Sequence, residues 1–488
     1  MAQAREARSG WSDLLDEGRL PRFALICLGV WLNAADNLVT ATIMPSVGRD
    51  LGGYAYFSWA VAGFLVGAIL AGASAGRIAE LIGLRLATSL AGLVFTAGCV
   101  LSATAADMAP FLFGRILQGL GSGWISGFAM IAIALLFPER HLARVFAAVA
   151  GIWGIATVVG PLIGGLFAES GAWRGIFWLF AGQALLFTSI APLLLRDAPG
   201  TAEPPGIPWR QLGLLALAMG AVGLADASDR PAAALILTGV GLLLLIAMVR
   251  MDGRARIRLL PAGSGDIRSP TGAGYAALFA LTATPIGFMI YGPAILQTMR
   301  GLTPLWAGYV IGAHAMAWTM AAFAVAGVGE AAGGRWIRLG TLLILGGLVG
   351  LALGMRAMPL AWIVASAAMM GAGFGFSSSL MNRRLLAVLA QEDRVIGSSA
   401  LIASRETGGA IGAAIAGVTA NLAGFREGLT LASSSAAALW IFITALPLAA
   451  AGVCWAWRLA AEEARRRATA VRRGDGAAAG SRFPGAGG

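Results

Sequence analysis

The chain has 488 residues, of which 58% are hydrophobic and 12% charged, with a formal net charge of +11. A soluble domain carries about 25% charged residues, so solubility along the whole length is excluded. All 35 basic residues are arginine, so there is no Walker A lysine and no ATP-driven pump in this chain. The net charge would suggest a nucleic-acid partner only if it were clustered on a soluble domain, and it is spread over loops between apolar runs.

A membrane span needs about 20 apolar residues. Fourteen runs qualify: 23–45, 56–75, 86–105, 110–136, 145–168, 175–195, 211–228, 232–250, 272–296, 304–328, 337–355, 359–381, 397–421 and 433–457. The seventh and eighth share a very short link, Asp226–Pro231, and a twelve-span reading would merge or demote them. With fourteen spans, 27 arginines fall in loops on one side, 6 on the other and 2, Arg115 and Arg405, inside spans. The positive-inside rule then makes the richer side cytoplasmic, with both termini on it.

Residues 1–22 are polar and lack the basic, apolar and small-residue pattern of a cleaved signal, so a retained cytoplasmic segment is expected. The first run, FALICLGVWLNAADNLVTATIMP, contains Asp36. An acid at that depth costs about 2.5–3.5 kcal/mol on insertion scales and is a functional-site hypothesis by default. Asn33, Asn37 and Thr40 share its side of the helix, and Trp31 lies mid-span. A polar helix–helix contact is the plainer alternative.

The loop after the second span reads GRIAELIGLR. In the fourth span Arg115, Gln118, Ser122 and Ser126 recur at spacings that make one stripe, with Trp124 mid-span. At 1.5 Å per residue Asp36 lies about 20 Å from the inner boundary, and Arg115 about 7 Å from the outer one. Both therefore fall in the outer third of a core about 30 Å thick, and are expected to reach one water-filled cavity. A permanent ion pair fixing two helices is the alternative. The fifth span carries Gly160, Pro161, Gly164 and Gly165, a kink flanked by close-packing residues.

Further along, Tyr291 is a candidate cavity group. His314, the one histidine within a span, could assist proton transfer or make an ordinary helix contact. Ser377, Ser378 and Asn382 are weaker cavity candidates. Arg405 and Glu406 read as a local ion pair. Cys27, Cys99 and Cys454 are scattered, so no disulfide framework, metal site or cofactor is expected. The tail beyond Ala461, rich in Arg, Gly and Ala, is expected to be disordered. The long loops at 196–210 and 251–271 bracket spans 7 and 8. They divide the chain into a cytoplasmic segment 1–22, a six-helix half 23–195, an inserted hairpin 196–271, a second half 272–457 and a cytoplasmic tail 458–488.

Several segments together resemble the fourteen-span drug:proton antiporter branch of the major facilitator superfamily. ADNLVTATIMP matches its D-x-T-[IV]-x-x-x-A-[LM]-P signature through Asp36 and Pro45, with Leu38 in place of the usual Thr. FLFGRILQGLGSG matches R-x-x-Q-G-x-G through Arg115, Gln118, Gly119 and Gly121. GIATVVGPLIGG matches the antiporter motif through Gly160, Pro161, Gly164 and Gly165, with Ala156 replacing an upstream Gly. LQTMRGLTPLWAG and SRETGGAIG look like landmarks of the second half.

The resemblance implies an all-α integral membrane fold of two six-helix halves plus a two-helix hairpin. It implies proton-coupled efflux of drugs or other small amphipathic molecules by alternating access. The lack of lysine and the wealth of Arg, Ala and Gly suggest a high-GC bacterium, and a monomer in its inner membrane is expected. Asp36 and Arg115 would couple the proton, and the polar and aromatic residues named above would line the substrate cavity. The family's gating loop G-x-x-x-D-R-x-G-R-[KR] is only partly kept: Gly76, Gly83 and Arg85 match, Glu80 replaces Asp, and Leu81 and Leu84 replace basic residues. A dedicated metabolite or siderophore exporter is the main alternative. A non-transporting sensor on the same fold is a rival of another class, and a membrane enzyme is disfavoured by the lack of G-x-S-x-G or H-E-x-x-H.

Overall fold

The computed structural model describes residues 19–137, 139–195, 206–228 and 230–480. The first half is α1 (Leu20–Leu51), α2 (Trp59–Ile82), α3 (Leu84–Thr104), α4 (Met108–Leu136), α5 (Glu139–Glu169) and α6 (Arg174–Leu194). A hairpin of α7 (Trp209–Ala227) and α8 (Pro231–Asp252) follows. The second half is α9 (Pro270–Ala283), α10 (Ile286–Arg300), α11 (Pro304–Ala324), α12 (Glu330–Ala357), α13 (Leu360–Val388), α14 (Arg394–Leu422) and α15 (Leu431–Gly480). α9 and α10 are one span broken at Thr284–Pro285, so the described residues form fourteen transmembrane helices, as expected. The break has a local cause, because Pro285 has no backbone N–H to continue the ladder.

Apolarity explains which helices face lipid. α8 is the most apolar of these spans, and less of it is buried than of any other. Eleven segments among the described residues are long and apolar enough to cross a membrane by composition alone; α7, α11 and α14 fall short. Each still packs on two helices or more, α7 on α8 and α14, α11 on α13 and α5, and α14 on α9 and α2, contacts that tolerate polar and small residues. Within the first half α2 and α3 pack on α4, α3 on α6, and α1 on α5; within the second, α12 and α11 pack on α13, and α15 on α12 and α9. The halves meet through α5 with α11, α2 with α14, and α1 with α10.

The side on which α1 begins is termed the near face, and the side on which it ends the far face. At the far face the halves are sealed. Phe57, beyond α1, stacks on Tyr291 of α10 at 5.7 Å, and Phe425, beyond α14, meets Tyr291 edge-on at 4.9 Å and Phe57 at 5.4 Å. Buried aromatic contacts of this kind add to simple area burial. Asn421 of α14 also reaches across, donating to the carbonyl of Ala55 at 2.7 Å.

One expectation is revised. α15 continues through Gly480, past Ala461, where disorder was expected. The sequence there, AAEEARRRATAV, is made largely of strong helix formers, and that local propensity outweighs its low apolarity. The polar segment 1–22 lies outside the described residues except for 19–22, and α1 already starts at Leu20.

Candidate functional site: a buried ion pair beside a glycine seam

α1 and α4 run side by side, and their polar stripes face each other. Arg115 donates from Nη1 to Asp36 Oδ2 at 2.7 Å and to Oδ1 at 2.9 Å. Its Nε donates to the carbonyl of Ala60 on α2 at 3.0 Å, and its guanidinium lies 4.8 Å from the Phe64 ring centre. Arg115 also donates to Gln118 Oε1, and Gln118 Nε2 donates on to Ser102 Oγ of α3 at 2.9 Å. Four helices of one half thus converge on a single charge pair.

The side chains of Asp36 and Arg115 are 0% and 1% exposed. The expected opening of this pair onto a water-filled cavity is therefore not present in this conformation. Close packing of α1, α2 and α4 excludes water, and the carboxylate is compensated by one guanidinium. Thr40, Gln118 and Ser122 are buried with the pair rather than lining a cavity. The half-buried members of the two stripes sit on the near-face side. Asn33 donates to Ser126 Oγ at 3.2 Å, and Asn37 donates to Asn33 Oδ1 at 3.0 Å. Trp31 donates to Gln183 at 3.1 Å and Trp124 to Ser74 at 3.0 Å, so both indoles are fixed within the half.

The far-face end of α5 lies against both α1 and α11. A Cβ added at Gly165 would stand 2.6 Å from Leu305 Cα, and one added at Gly308 of α11 would stand 3.0 Å from Pro161 Cβ. Gly160 and Gly164 face Leu38 and Thr42 of α1 in the same way. Glu169 at the end of α5 accepts from the Leu305 N–H at 3.3 Å. The seam between halves is thus built from missing side chains, directly beside the helix that carries Asp36.

The Major Facilitator Superfamily model matches residues 26–412. This chain belongs to that superfamily. A probable multidrug-efflux transporter of Mycobacterium tuberculosis is 28% identical over 471 residues, covering 93% of this chain and 97% of its own. The multidrug transporter MdtP of Bacillus subtilis is 27% identical over 235 residues, 42% of this chain and 43% of its own. Among solved structures, a nucleoside transporter aligns with TM-score 0.63 at 11% identity, covering 90% of this chain and 98% of its own. The chain is accordingly a multi-pass membrane transporter for a small molecule, and its long relatives agree with the drug:proton antiporter branch.

One further candidate of this facilitator, Tyr291, is placed differently from expectation. Tyr291 is part of the far-face aromatic seal and 0% exposed, not a cavity polar group. His314 is also 0% exposed, between the rings of Trp318 at 6.4 Å and Phe374 at 6.0 Å. It is a contact between α11 and α13. A sequence shows that a polar atom lies in a span, but not which neighbour it turns towards. Gly83, with φ of 80°, makes the break between α2 and α3, and Arg85 donates to the Pro192 carbonyl at 2.9 Å. Arg85 therefore engages its own half, and Gly76 and Glu80 lie on the same near-face turn of α2.

One expected pairing is corrected, and one group escaped the sequence reading. Arg405 and Glu406 do not pair with each other; successive helical positions point about 100° apart. Arg405 instead lies 5.5 Å over the Trp318 ring, about 16 Å along α14 from its start. Asp226, at the end of α7, accepts from Ser58 of the first half and from Asn421 Nδ2 of the second at 2.6 Å, and is 1% exposed. The hairpin thus clasps both halves at the far face. Only its position in a very short link set Asp226 apart in the sequence.

Proposed function

We propose that this facilitator is a proton-coupled exporter of small amphipathic molecules, drugs among them, working by alternating access. The observation that carries the proposal is the buried Asp36–Arg115 pair beside the glycine seam, in a chain similar along almost its whole length to a probable multidrug-efflux transporter. The 27-to-6 arginine asymmetry supports a cytoplasmic near face, both termini inside, in a bacterial inner membrane. The sealed far face then corresponds to a conformation closed to the outside.

In that conformation Asp36 is ionised and held by Arg115. Opening the far face slides α1 and α5 apart from α11 and α10, hydrates the pair and lets a proton reach Asp36 from outside. Neutral Asp36 releases Arg115, whose guanidinium turns to water on the near-face side as the helices close again and carry the proton inward. A charge moving inward gains about 2.3 kcal/mol per 100 mV, enough to drive modest accumulation outward. The half-buried Asn33, Asn37, Ser126, Trp31 and Trp124, with Arg405 and Trp318 opposite, form the substrate path. The boundaries 23–195, 196–271 and 272–457 are the two moving halves and their hairpin, acting as a monomer.

A deletion strain and an overexpressing strain screened against a panel of toxic compounds test this reading. Expected is reduced susceptibility to several amphipathic compounds on overexpression, abolished by Asp36→Asn. Unchanged susceptibility throughout would sink the multidrug reading in favour of a dedicated exporter.

A further inference from the structure

The near-face end of the hairpin holds a cleft that the transport reading does not use. α7 and α8 diverge there around a cavity of about 540 Å³ lined by Arg210, Arg250 and Arg254. Its other wall is apolar, and continues up α8 through Ile246 and Leu243, which are 46% and 66% exposed. Pro231 begins α8 at the far face, so Arg250 lies about 28 Å along it, at the depth where hydrocarbon gives way to headgroups.

The cleft is built rather than incidental. Asp252, 1% exposed, accepts from the N–H groups of Leu259 at 2.7 Å and Leu260 at 2.9 Å. Gln211 of α7 donates to Asp252 at 3.2 Å and to the Ile257 carbonyl at 2.8 Å. These bonds fold the chain after α8 back under α7 and hold Arg254 at the rim. Arg258, four residues on, is committed to Asp393 at 3.1 Å. The guanidinium groups of Arg210, Arg250 and Arg254, by contrast, make no hydrogen bond or ion pair among the described residues.

Arginines on a cytoplasmic loop ordinarily satisfy the positive-inside rule and stand in water. Three that converge on one cavity, unpaired, above an exposed apolar strip, present a different surface. We propose that this cleft is a binding site for one anionic phospholipid, its phosphate among the three guanidinium groups and an acyl chain along Ile246 and Leu243. Guanidinium forks match phosphate oxygens bidentately, and basic pockets between membrane helices bind anionic headgroups. The site stands apart from proton coupling. The same folded loop joins α8 to Asp393 at the start of α14, so an occupied cleft braces the hairpin against a helix of the second half.

The test is lipid retention by the purified full-length chain, read by native mass spectrometry in detergent with phosphatidylglycerol or phosphatidylcholine of identical acyl chains. Wild type is expected to bind one phosphatidylglycerol selectively. Arg210→Gln, Arg250→Gln and Arg254→Gln together are expected to lower that affinity about a hundredfold, at roughly fivefold per guanidinium. Arg256→Gln, Arg268→Gln and Arg335→Gln together remove the same charge from exposed near-face positions outside the cleft, and are expected to change it less than about twofold. Equal losses in both triple variants, or none in either, would overturn the site. Displacement of the lipid by millimolar glycerol phosphate would overturn the lipid assignment in favour of a soluble phosphate. Each single Arg→Gln variant is measured alongside, so a triple variant that fails to fold does not remove the test.

Discussion

At the scale of single residues, one charge pair organises the first half. Deleting one partner of a buried pair leaves the other uncompensated, and costs about 3–5 kcal/mol in soluble proteins. Arg115→Ala is therefore expected to lower the thermal unfolding midpoint in detergent well below that of wild type. Adding Asp36→Ala should restore much of the loss, because no lone charge remains. A double variant less stable than Arg115→Ala would show that the two residues do not act as a pair. The helical spacing in the sequence was enough to place Asp36 and Arg115 on facing stripes at similar depth. It could not show that Ser102 and the Ala60 carbonyl complete the cluster, because those contacts come from α3 and α2, whose register is set by packing. Tyr291 was misplaced for the same reason, and His314 was left with two readings: composition locates a polar group along a helix but not around it.

At the scale of elements, the seam and the clasp would set how the far face opens in the proposed cycle. Gly165→Val would put side-chain atoms where Leu305 Cα now sits 2.6 Å from an added Cβ, so α5 and α11 must separate. Spin labels at Ser170 and Thr303, with the native cysteines replaced, should report a longer far-face distance in this variant. An unchanged distance would mean that the seam yields elsewhere. Asp226→Ala is expected to shift the same distance outward, because Ser58 and Asn421 lose their shared acceptor. Asn421→Ala should do likewise, and the double variant little more, as residues of one network are not additive. Strictly additive shifts would separate the two residues. The antiporter motif of α5 was legible because glycine spacing survives in sequence. The break at Thr284–Pro285 was not foreseen, since apolarity runs on across it.

For the whole molecule, the even number of spans and the arginine asymmetry are legible in the amino-acid sequence. Both depend on composition summed over many residues, which tolerates local error. α7, α11 and α14 illustrate the limit: they are less apolar than a membrane-facing helix, and their partners in the bundle make up the difference. The tail shows the opposite error, a charged segment whose helix formers carry α15 on to Gly480. The proposed coupling rests on the arrangement of sealed far face, glycine seam and buried carboxylate. Its most direct measurement is substrate-dependent proton flux in proteoliposomes under an imposed pH gradient, at clamped membrane potential, with a fluorescent dye as cargo. Gradient-driven dye transport with matched proton counterflow is expected in wild type, and neither in Asp36→Asn. Dye transport by Asp36→Asn with the wild-type dependence on the gradient would contradict a coupling role for this carboxylate.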